Sequence, residues 1–260
     1  MPYTPDNFSF SDSLFPEDFP ERASKIHYFP VADSTMDIAR DMANKGCPNF
    51  TVVIAGTQEK GRGRLKRVWL SSQGGLYFTI VLRPEIPAVL GPRINFFVSL
   101  TLAETLRKMF GINALVKWPN DILVEGKKIS GMLSEMKTKD DMVLFVNIGI
   151  GINVNNDPKP KEQRADSLKG LLGEKVSRNR ILAKFLDELE RSFNNIDYDK
   201  IIVEWKKFSA TIGRHVKIVT SRETTEGLAV DVDEDGALVL KLCDGSIKKI
   251  VYGDCFEHRA

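Results

Sequence analysis

The stretch "ALVKWPNDILVEGKKISGMLSEMK", residues 114–137, contains two β-rich arms, residues 122–125 and 128–134. The arms flank Gly126-Lys127, and such a short glycine-containing connection predicts a β-hairpin. Lys117 ends an apolar strand in front of the hairpin, where desolvation makes its ammonium sensitive to an anionic partner. A tight turn with an Asx cap at Asn120-Asp121 explains the same residues without a ligand, so both interpretations stay open.

Short strands and a few longer helices surround this stretch. Strands are predicted where β-branched and apolar residues run together, at residues 25–29, 51–57, 75–83 and 141–156. Helices are predicted where apolar residues recur with helical spacing between start and stop signals, at residues 33–46, 92–110, 177–195 and 198–208. Strands interleaved with a few helices indicate a globular protein of mixed α and β structure.

The composition changes near residue 210. From there, short alternating strands follow one another with turns at Asp235-Gly236 and Asp244-Gly245. This pattern predicts a small SH3-like β-barrel over residues 210–260. Residues 1–25 are rich in proline and lack a period, so they are expected to form an irregular extension before a main domain at residues 26–209.

Composition limits the possible functions. The formal net charge is only +2, from 37 Lys and Arg against 35 Asp and Glu, which disfavours a general nucleic-acid binder with a basic face. The cysteines Cys47, Cys243 and Cys255 share no metal-ligand spacing and indicate reduced thiols in a cytoplasmic protein. No secretory signal is visible, and no apolar run approaches the roughly 20 residues that span a bilayer. We therefore expect a cytoplasmic protein without a membrane partner.

The segment "KGRGRLKR", residues 60–67, concentrates positive charge on a glycine-containing loop. Gly61 and Gly63 permit positive φ, so that successive N–H groups can converge on an anion as a nest. Arg62 and Arg64 add guanidinium groups that suit carboxylate or phosphate. A solvated basic turn or a nucleic-acid contact explains the charge equally simply, so the loop by itself does not identify its ligand.

Two weaker signals accompany the loop. The segment "GIGIN" places Gly149 and Gly151 on alternating positions of a predicted strand, followed by Asn153. These glycines permit a ligand to lie close to the strand, although bulge-forming glycines are the commoner explanation. Ser34-Thr35 is most simply a helix N-cap, and a ligand at that helix start would find free hydroxyl and N–H groups there.

The order and spacing of these motifs resemble the biotin protein ligase family over residues 26–256. The pair G-R-G-R…W and K-W-P-N-D…K-x-x-G-x-L-x-E carries the resemblance. It implies an α+β fold, in which a mixed, largely antiparallel sheet with flanking helices, similar to class II aminoacyl-tRNA synthetases, precedes the SH3-like module. Residues 26–209 would then form the catalytic biotin- and ATP-binding domain. The implied reaction joins biotin to ATP as biotinyl-5′-adenylate and transfers biotin to a lysine of a biotin carboxyl carrier protein.

The resemblance also implies roles for individual residues. Catalytic roles at the junction of the biotin carboxylate and the ATP α-phosphate fall on Arg62, Arg64 and Lys117. Biotin contacts fall on Ser34, Thr35, Gln58, Gly61, Arg62, Gly63, Arg64, Lys117, Gly131 and Leu133. Nucleotide contacts fall on Arg64, Arg67, Trp69, Lys117, Asn120 and Asn153, and a contact in the Mg²⁺/phosphate network falls on Asp121.

Two positions depart from the family pattern. Met36 stands where the family often has a small polar residue, which argues against a ureido contact there. Leu65-Lys66 replaces the more usual Arg-Gly, which is expected to stiffen the loop.

Two other functions are compatible with parts of the sequence. One is a lipoate–protein ligase, which is disfavoured because the resemblance assigns Ser34, Thr35 and Gln58 to the polar ureido ring of biotin. The other is a non-catalytic nucleic-acid-binding protein. The family's bifunctional members carry an N-terminal winged helix, and about 25 residues precede the matched region here, so no specific DNA binding is expected. A monomer and a homodimer both stay open.

Overall fold

The structure, a computed structural model, describes residues 14–158 and 165–257. Residues 1–13 of the predicted extension and residues 258–260 of the predicted C-terminal module lie outside this range. The helices are α1 (Thr35–Asn44), α2 (Arg93–Phe110), α3 (Leu168–Leu172), α4 (Arg178–Phe193) and α5 (Ile201–Lys207). The strands are β1 (Ile26–Ala32), β2 (Thr51–Gln58), β3 (Leu76–Leu82), β4 (Leu115–Lys117), β5 (Asp121–Val124), β6 (Lys127–Lys139), β7 (Met142–Ile152), β8 (His215–Val219), β9 (Thr224–Val232), β10 (Leu238–Lys241), β11 (Ile247–Ile250) and β12 (Asp254–Glu257).

A seven-stranded sheet in the order β1-β2-β3-β7-β6-β5-β4 forms the larger part of the molecule. Only β1 and β2 pair in parallel, and every other neighbouring pair is antiparallel. A second, five-stranded antiparallel sheet in the order β11-β10-β9-β8-β12 follows at the C-terminal end. This architecture confirms the predicted α+β class, with a largely antiparallel sheet, flanking helices and a small C-terminal β-module.

The predicted hairpin is present as β5 and β6. Its two-residue turn consists of Glu125 and Gly126, with φ of 52° and 71°, the left-handed pair that matches the twist of a tight hairpin. The turn lies one residue earlier than predicted, because Lys127 already pairs with Val124. Strand β6 then continues to Lys139, five residues beyond the predicted arm, and pairs along β7.

The two faces of the large sheet have different neighbours. On one face, Ile148, Ile150 and Ile152 of β7 join the main hydrophobic core, to which α2 and α4 contribute. On the opposite face, Phe145 of β7 packs with Ala39 of α1 and with β2 and β3. Because side chains alternate along a strand, Asn147, Gly149 and Gly151 also face the side of α1. This face carries the cleft described below.

The C-terminal sheet is attached to the large sheet by hydrogen bonds to Trp118, which is buried directly after β4. The indole N–H of Trp118 donates to the carbonyl of Gly236 at 3.0 Å, and its backbone N–H donates to the hydroxyl of Thr211 at 2.9 Å. On α5, Lys206 forms an ion pair with Asp231 at 2.6 Å. The proposed boundary at residues 209–210 stays a prediction, since Ala210 still donates its N–H to Val116 of β4.

Some local expectations differ from the structure. Residues 14–25 of the predicted irregular extension form short 3₁₀ turns, and they pack on the domain because Leu14 and Phe19 are buried in the core and Arg22 pairs with Glu190 at 2.7 Å. Helix α3 was not predicted, since five residues are too few for a helical period to show. In the described part of the chain, no helix has the length and hydropathy needed to cross a membrane.

A buried amide on the α1 face generates a stability prediction. Neither side-chain polar atom of Asn147 has a hydrogen-bond partner among the described residues, although the residue is fully buried. We expect Asn147→Val to raise the free energy of unfolding by about 1 kcal/mol or more, because it removes two unpaired polar groups. Urea denaturation measures the change.

Asn156 provides the matched control. It is also buried, but its side chain accepts from the Val154 N–H and donates to Asn153. Asn156→Val is expected to lower the free energy of unfolding by about 1–3 kcal/mol. Destabilisation by Asn147→Val of a similar size would contradict the prediction and indicate that its amide is hydrogen-bonded in solution.

Candidate active site

A cleft of about 960 Å³ opens on the α1 face, between the start of α1, the loop after β2, the turn after β4 and strand β12. Its size is sufficient for a small-molecule substrate. Fourteen of the predicted site residues line it: Ser34, Thr35, Gln58, Arg62, Gly63, Arg64, Arg67, Trp69, Lys117, Asn120, Asp121, Gly131, Leu133 and Asn153. Motifs that are separated by more than a hundred residues in sequence therefore meet in one place.

Gly61 is the predicted site residue that does not line the cleft. It is buried behind the loop, where a Cβ atom would overlap the carbonyl oxygen of Trp69. The N–H of Trp69 also donates to the Gly61 carbonyl at 2.9 Å. Gly61 thus permits two parts of the loop to approach each other, and this structural role explains the glycine.

The predicted nest of glycine N–H groups is absent from this loop as the structure describes it. Gly63 has φ −113°, and its N–H donates to the carbonyl of Arg67 at 2.8 Å, while the Arg67 N–H donates to Arg64 at 2.9 Å. These donors are occupied inside a tight hairpin-like loop. The left-handed residue is Leu65, with φ 49°, a conformation that costs a non-glycine residue about 1 kcal/mol or more.

Lys117 and Arg64 are two cationic side chains of the cleft without an anionic partner. Among the described residues, no carboxylate forms an ion pair with either of them, and Arg64 has only a 3.4 Å contact from its guanidinium to the side-chain oxygen of Asn120. Burial lowers the pKa of Arg64, an effect opposed by the charges of Asp254 and Asp121. A half-buried cation is stabilised by an anion brought from outside, so this part of the cleft favours an anionic ligand.

Arg62 is held by carboxylates, unlike Arg64. Its guanidinium lies 3.1 Å from Asp37 on α1 and 3.0 Å from Glu135 on β6, and Arg40 contacts the same two carboxylates. The Nε of Arg62 is buried without a hydrogen-bond partner among the described residues. The terminal nitrogen that faces Asp37 also lacks a hydrogen bond among the described residues, so two carboxylates hold the guanidinium by charge while two of its donor nitrogens are left for a ligand.

Polar side chains from three elements line the end of the cleft at the start of α1. Gln58 accepts hydrogen bonds from the N–H of Thr35 at 2.9 Å and from its hydroxyl at 3.1 Å, and donates to Ser71 at 2.8 Å. The amide of Gln58 is therefore paired within the protein. The unpaired group is the buried hydroxyl of Ser34, which has no hydrogen-bond partner in the part of the chain that the structure describes and does not cap α1. Sequence reasoning did not identify Ser71, because a lone serine carries no positional signal.

The glycines of the "GIGIN" segment are covered by side chains of the protein. Gly131 and Gly151 are register partners on β6 and β7, and the ring of Trp69 lies against both of them. Met36 lies against Gly149, with its sulfur 2.7 Å from where a Cβ would stand. The indole N–H of Trp69 is buried without a partner among the described residues. The glycines thus make room for Trp69 and Met36, which form the floor of the cleft.

Asp121 and Asn153 are committed to partners inside the protein. Asp121 pairs with Lys128 at 2.8 Å, and the side-chain oxygen of Asn153 accepts a hydrogen bond from Asn156 at 3.1 Å. Within residues 14–158 and 165–257, no group of three or more His, Cys, Asp or Glu side chains could hold a metal ion. The predicted contact of Asp121 with the Mg²⁺/phosphate network stays a prediction.

The C-terminal sheet also contributes to the cleft. Asp254 and Cys255 of β12 lie in its lining, and Asp254 forms an ion pair with Arg67 at 2.7 Å. Burial raises the pKa of the Cys255 thiol to about 12, so the thiol is neutral at physiological pH. Neither residue was predicted, because nothing in the local sequence shows which end of the β-module faces the larger sheet.

Comparison with known proteins gives the family. The model of the biotin/lipoate A/B protein ligase family matches residues 28–155, and that of the biotin protein ligase C-terminal domain matches residues 211–256. The chain is 34% identical over 235 residues to the bifunctional ligase/repressor BirA of Bacillus subtilis, covering 87% of this chain and 72% of that protein. This chain belongs to the biotin protein ligase family.

Two further proteins are similar to this family member over most of its length. The biotin–[acetyl-CoA-carboxylase] ligase of Paracoccus denitrificans is 29% identical over 223 residues, which cover 80% of this chain and 91% of that protein. A structure of the Aquifex aeolicus biotin protein ligase in complex with biotin and ATP superposes with a TM-score of 0.72 and 29% identity, covering 91% and 99% of the two chains. The likeness therefore extends over both sheets.

The packing of Trp69 on glycine generates a prediction for the cleft. A methyl group at Gly151 would overlap the indole ring, so Gly151→Ala is expected to displace Trp69 and raise its exposure to solvent. The other tryptophans, Trp118 and Trp205, are fully buried, and a red-shifted fluorescence emission would therefore report Trp69.

Gly63→Ala is the control, since a Cβ there meets its nearest neighbour at an ordinary 3.4 Å. A red shift in both variants, or in neither, would contradict the assignment of Trp69 to the glycine floor. Adding Trp69→Phe to Gly151→Ala should abolish the shift.

Proposed function

We propose that this chain activates biotin with MgATP and transfers it to a lysine of a biotin carboxyl carrier protein. In the first step a biotin carboxylate oxygen attacks the α-phosphorus of ATP, and pyrophosphate leaves. In the second step the lysine amine attacks the carbonyl of the resulting mixed anhydride, an amide bond forms, and AMP leaves with the electrons of the broken C–O bond. The first step brings two anions together, and the second develops negative charge on the carbonyl oxygen and on the departing phosphate, so cationic side chains at the junction stabilise both steps.

The observation that carries the proposal is that Lys117 and Arg64 have no carboxylate partner among the described residues. A carboxylate and a phosphate placed between them would supply the missing counter-charges, and charge-assisted hydrogen bonds of this kind are among the strongest in proteins. Arg62, fixed by Asp37 and Glu135, would present its free Nε to the same junction. The three cations thus have distinct roles. Carboxylates of the protein fix Arg62 before the substrate binds, whereas Lys117 and Arg64 would form their ion pairs with the substrate.

The polar end of the cleft supports biotin over lipoate. Biotin carries a ureido ring with hydrogen-bonding groups, whereas the dithiolane ring of lipoate offers no comparable groups. The buried Ser34 hydroxyl lacks a partner, and leaving such a group unpaired costs about 1–3 kcal/mol. A ureido group beside Ser34 and Thr35 would remove that cost. The preference thus depends on Ser34 and not on Gln58, whose amide is already paired.

The opposite part of the cleft is assigned to the nucleotide. Trp69 would offer an aromatic face to the adenine, and Arg67, Asn120 and Asn153 line the same cleft. Mg²⁺ enters this proposal as part of the MgATP substrate, with Asp121 beside the phosphates. The Aquifex aeolicus biotin protein ligase, to which this chain is similar, has been solved in complex with biotin and ATP, which supports the binding of both substrates.

ATP–pyrophosphate exchange distinguishes the proposed function from its rivals. The purified protein is assayed with biotin, with lipoate and with neither acid. We expect exchange that depends on biotin alone. Exchange that depends only on lipoate would replace biotin by lipoate as the substrate. Absence of exchange with both acids would contradict an activating enzyme and favour a non-catalytic binding protein.

The roles of the two unpaired cations are tested by substitution. Lys117→Ala and Arg64→Ala are each expected to lower biotin-dependent exchange by about a hundredfold or more, as removal of one preorganised donor does in other enzymes. Lys60→Ala is the matched control, because Lys60 lies in the same basic segment but is exposed, paired with Asp33 at 2.7 Å and outside the cleft lining. Wild-type exchange in both cleft variants would contradict the assignment.

A further inference from the structure

We propose that Asp254 of the C-terminal sheet is a positioning residue, which fixes the basic loop at residues 61–69 through its ion pair with Arg67. The inference extends the proposed function, since this loop carries two of the cations assigned to the reaction. It gives the C-terminal sheet a defined task in the active site. Asp254 acts through Arg67 and is not itself proposed to touch the reacting atoms.

Two contacts from one face of β12 hold Arg67. The carboxylate of Asp254 lies 2.7 Å from the guanidinium, and the ring of Phe256 lies beneath it at 5.5 Å from the guanidinium carbon. Asp254 and Phe256 are two residues apart and therefore point to the same side of the strand. The side chain of Asp254 is 15% exposed and that of Arg67 48% exposed, so solvent screens this ion pair in part, but less than a pair between two fully exposed side chains.

Arg67 is in turn connected to the rest of the loop. The Arg67 carbonyl accepts the N–H of Gly63, and its N–H donates to Arg64. Arg62 and Arg64 lie on either side of Gly63, so a displacement of Arg67 would move the backbone from which both guanidinium groups extend. Asp254 thereby acts on cations that it does not itself bind.

The C-terminal sheet has the rigid attachment that a positioning role requires. Trp118, the residue after Lys117, donates its indole N–H to Gly236 of this sheet at 3.0 Å and is buried. The same sheet thus holds the segment of Lys117 through Trp118 and the basic loop through Asp254. Lys117 and Arg64 approach the cleft from different parts of the chain, and one common support sets the distance between them.

Hydrogen–deuterium exchange of the ligand-free protein tests the positioning role without any substrate. Asp254→Asn is expected to accelerate exchange of the amides of Gly63, Arg67 and Trp69 by about fivefold, the equivalent of a partly exposed ion pair. Asp231→Asn is the control, since Asp231 also joins the C-terminal sheet to the main sheet's helices, by a 2.6 Å ion pair with Lys206. It lies outside the cleft lining and should leave these three amides unchanged.

A double variant with reversed charges controls for a general loss of stability. Arg67→Glu combined with Asp254→Lys restores an ion pair and should return hydrogen–deuterium exchange of the loop amides toward the wild-type rate, while Arg67→Glu alone should not. Unchanged amide exchange in Asp254→Asn, equal acceleration in Asp231→Asn, or no rescue by the double variant would each overturn the positioning role.

The kinetics of ATP–pyrophosphate exchange distinguish this role from the proposed function. If the wild-type protein catalyses biotin-dependent pyrophosphate exchange, Asp254→Asn should raise the KM values for both ATP and biotin several-fold, because the loop that it fixes carries Arg62 and Arg64 as well as Arg67. Unchanged KM values for both substrates would overturn the positioning role. Absence of activity in the wild type would defeat the proposed function, and the amide measurements would still decide the role of Asp254.

Discussion

Lys117 and Arg64 each bring a positive charge into the cleft, and no carboxylate among residues 14–158 and 165–257 forms an ion pair with either of them. Burial disfavours a charge, and for Arg64 this lowers the pKa of the guanidinium. The two carboxylates nearest to Arg64 form ion pairs with other cations, Asp121 with Lys128 and Asp254 with Arg67, and the side-chain contact of Arg64 is to the neutral Asn120. A substrate anion supplies the missing negative charge. Because the cations are already desolvated in the folded protein, binding of the anion does not have to remove water from them again.

The fold maintains this arrangement from two directions. Strand β4 ends at Lys117, and the buried Trp118 that follows anchors it by a hydrogen bond to Gly236. The basic loop is closed by the hydrogen bond between Gly61 and Trp69 and is joined to β12 by the ion pair of Arg67 with Asp254. The floor between them depends on the register of β6 and β7, which places Gly131 opposite Gly151 and leaves space for an indole ring. A large side chain at either glycine would fill the space that Trp69 occupies.

Much of the fold and of the site was predictable from local patterns. The hairpin at β5 and β6 follows from two β-rich arms around a glycine, and α2 begins after Pro92 and ends before Gly111, as predicted. The family resemblance brought the separate motifs into one site, and of its residues only Gly61 lies outside the lining. The partners of these residues could not be predicted. Asp37 and Glu135 meet Arg62 only because α1 packs on β2, β3 and β7, beside β6, and Asp254 meets Arg67 only because of how the two sheets dock. These contacts depend on tertiary packing, which leaves no trace in local sequence.

The central claim is that the unpaired cations bind the carboxylate of the substrate. Calorimetric titration of the protein with biotin and with biotinamide, its neutral amide, tests this claim most directly, because the two ligands share the ureido ring and the tail. The account predicts that biotinamide binds about ten- to a hundredfold more weakly, as the loss of a charge-assisted hydrogen bond implies. It also predicts that Lys117→Ala reduces this difference. Equal affinities of the wild-type protein for the two ligands would contradict it.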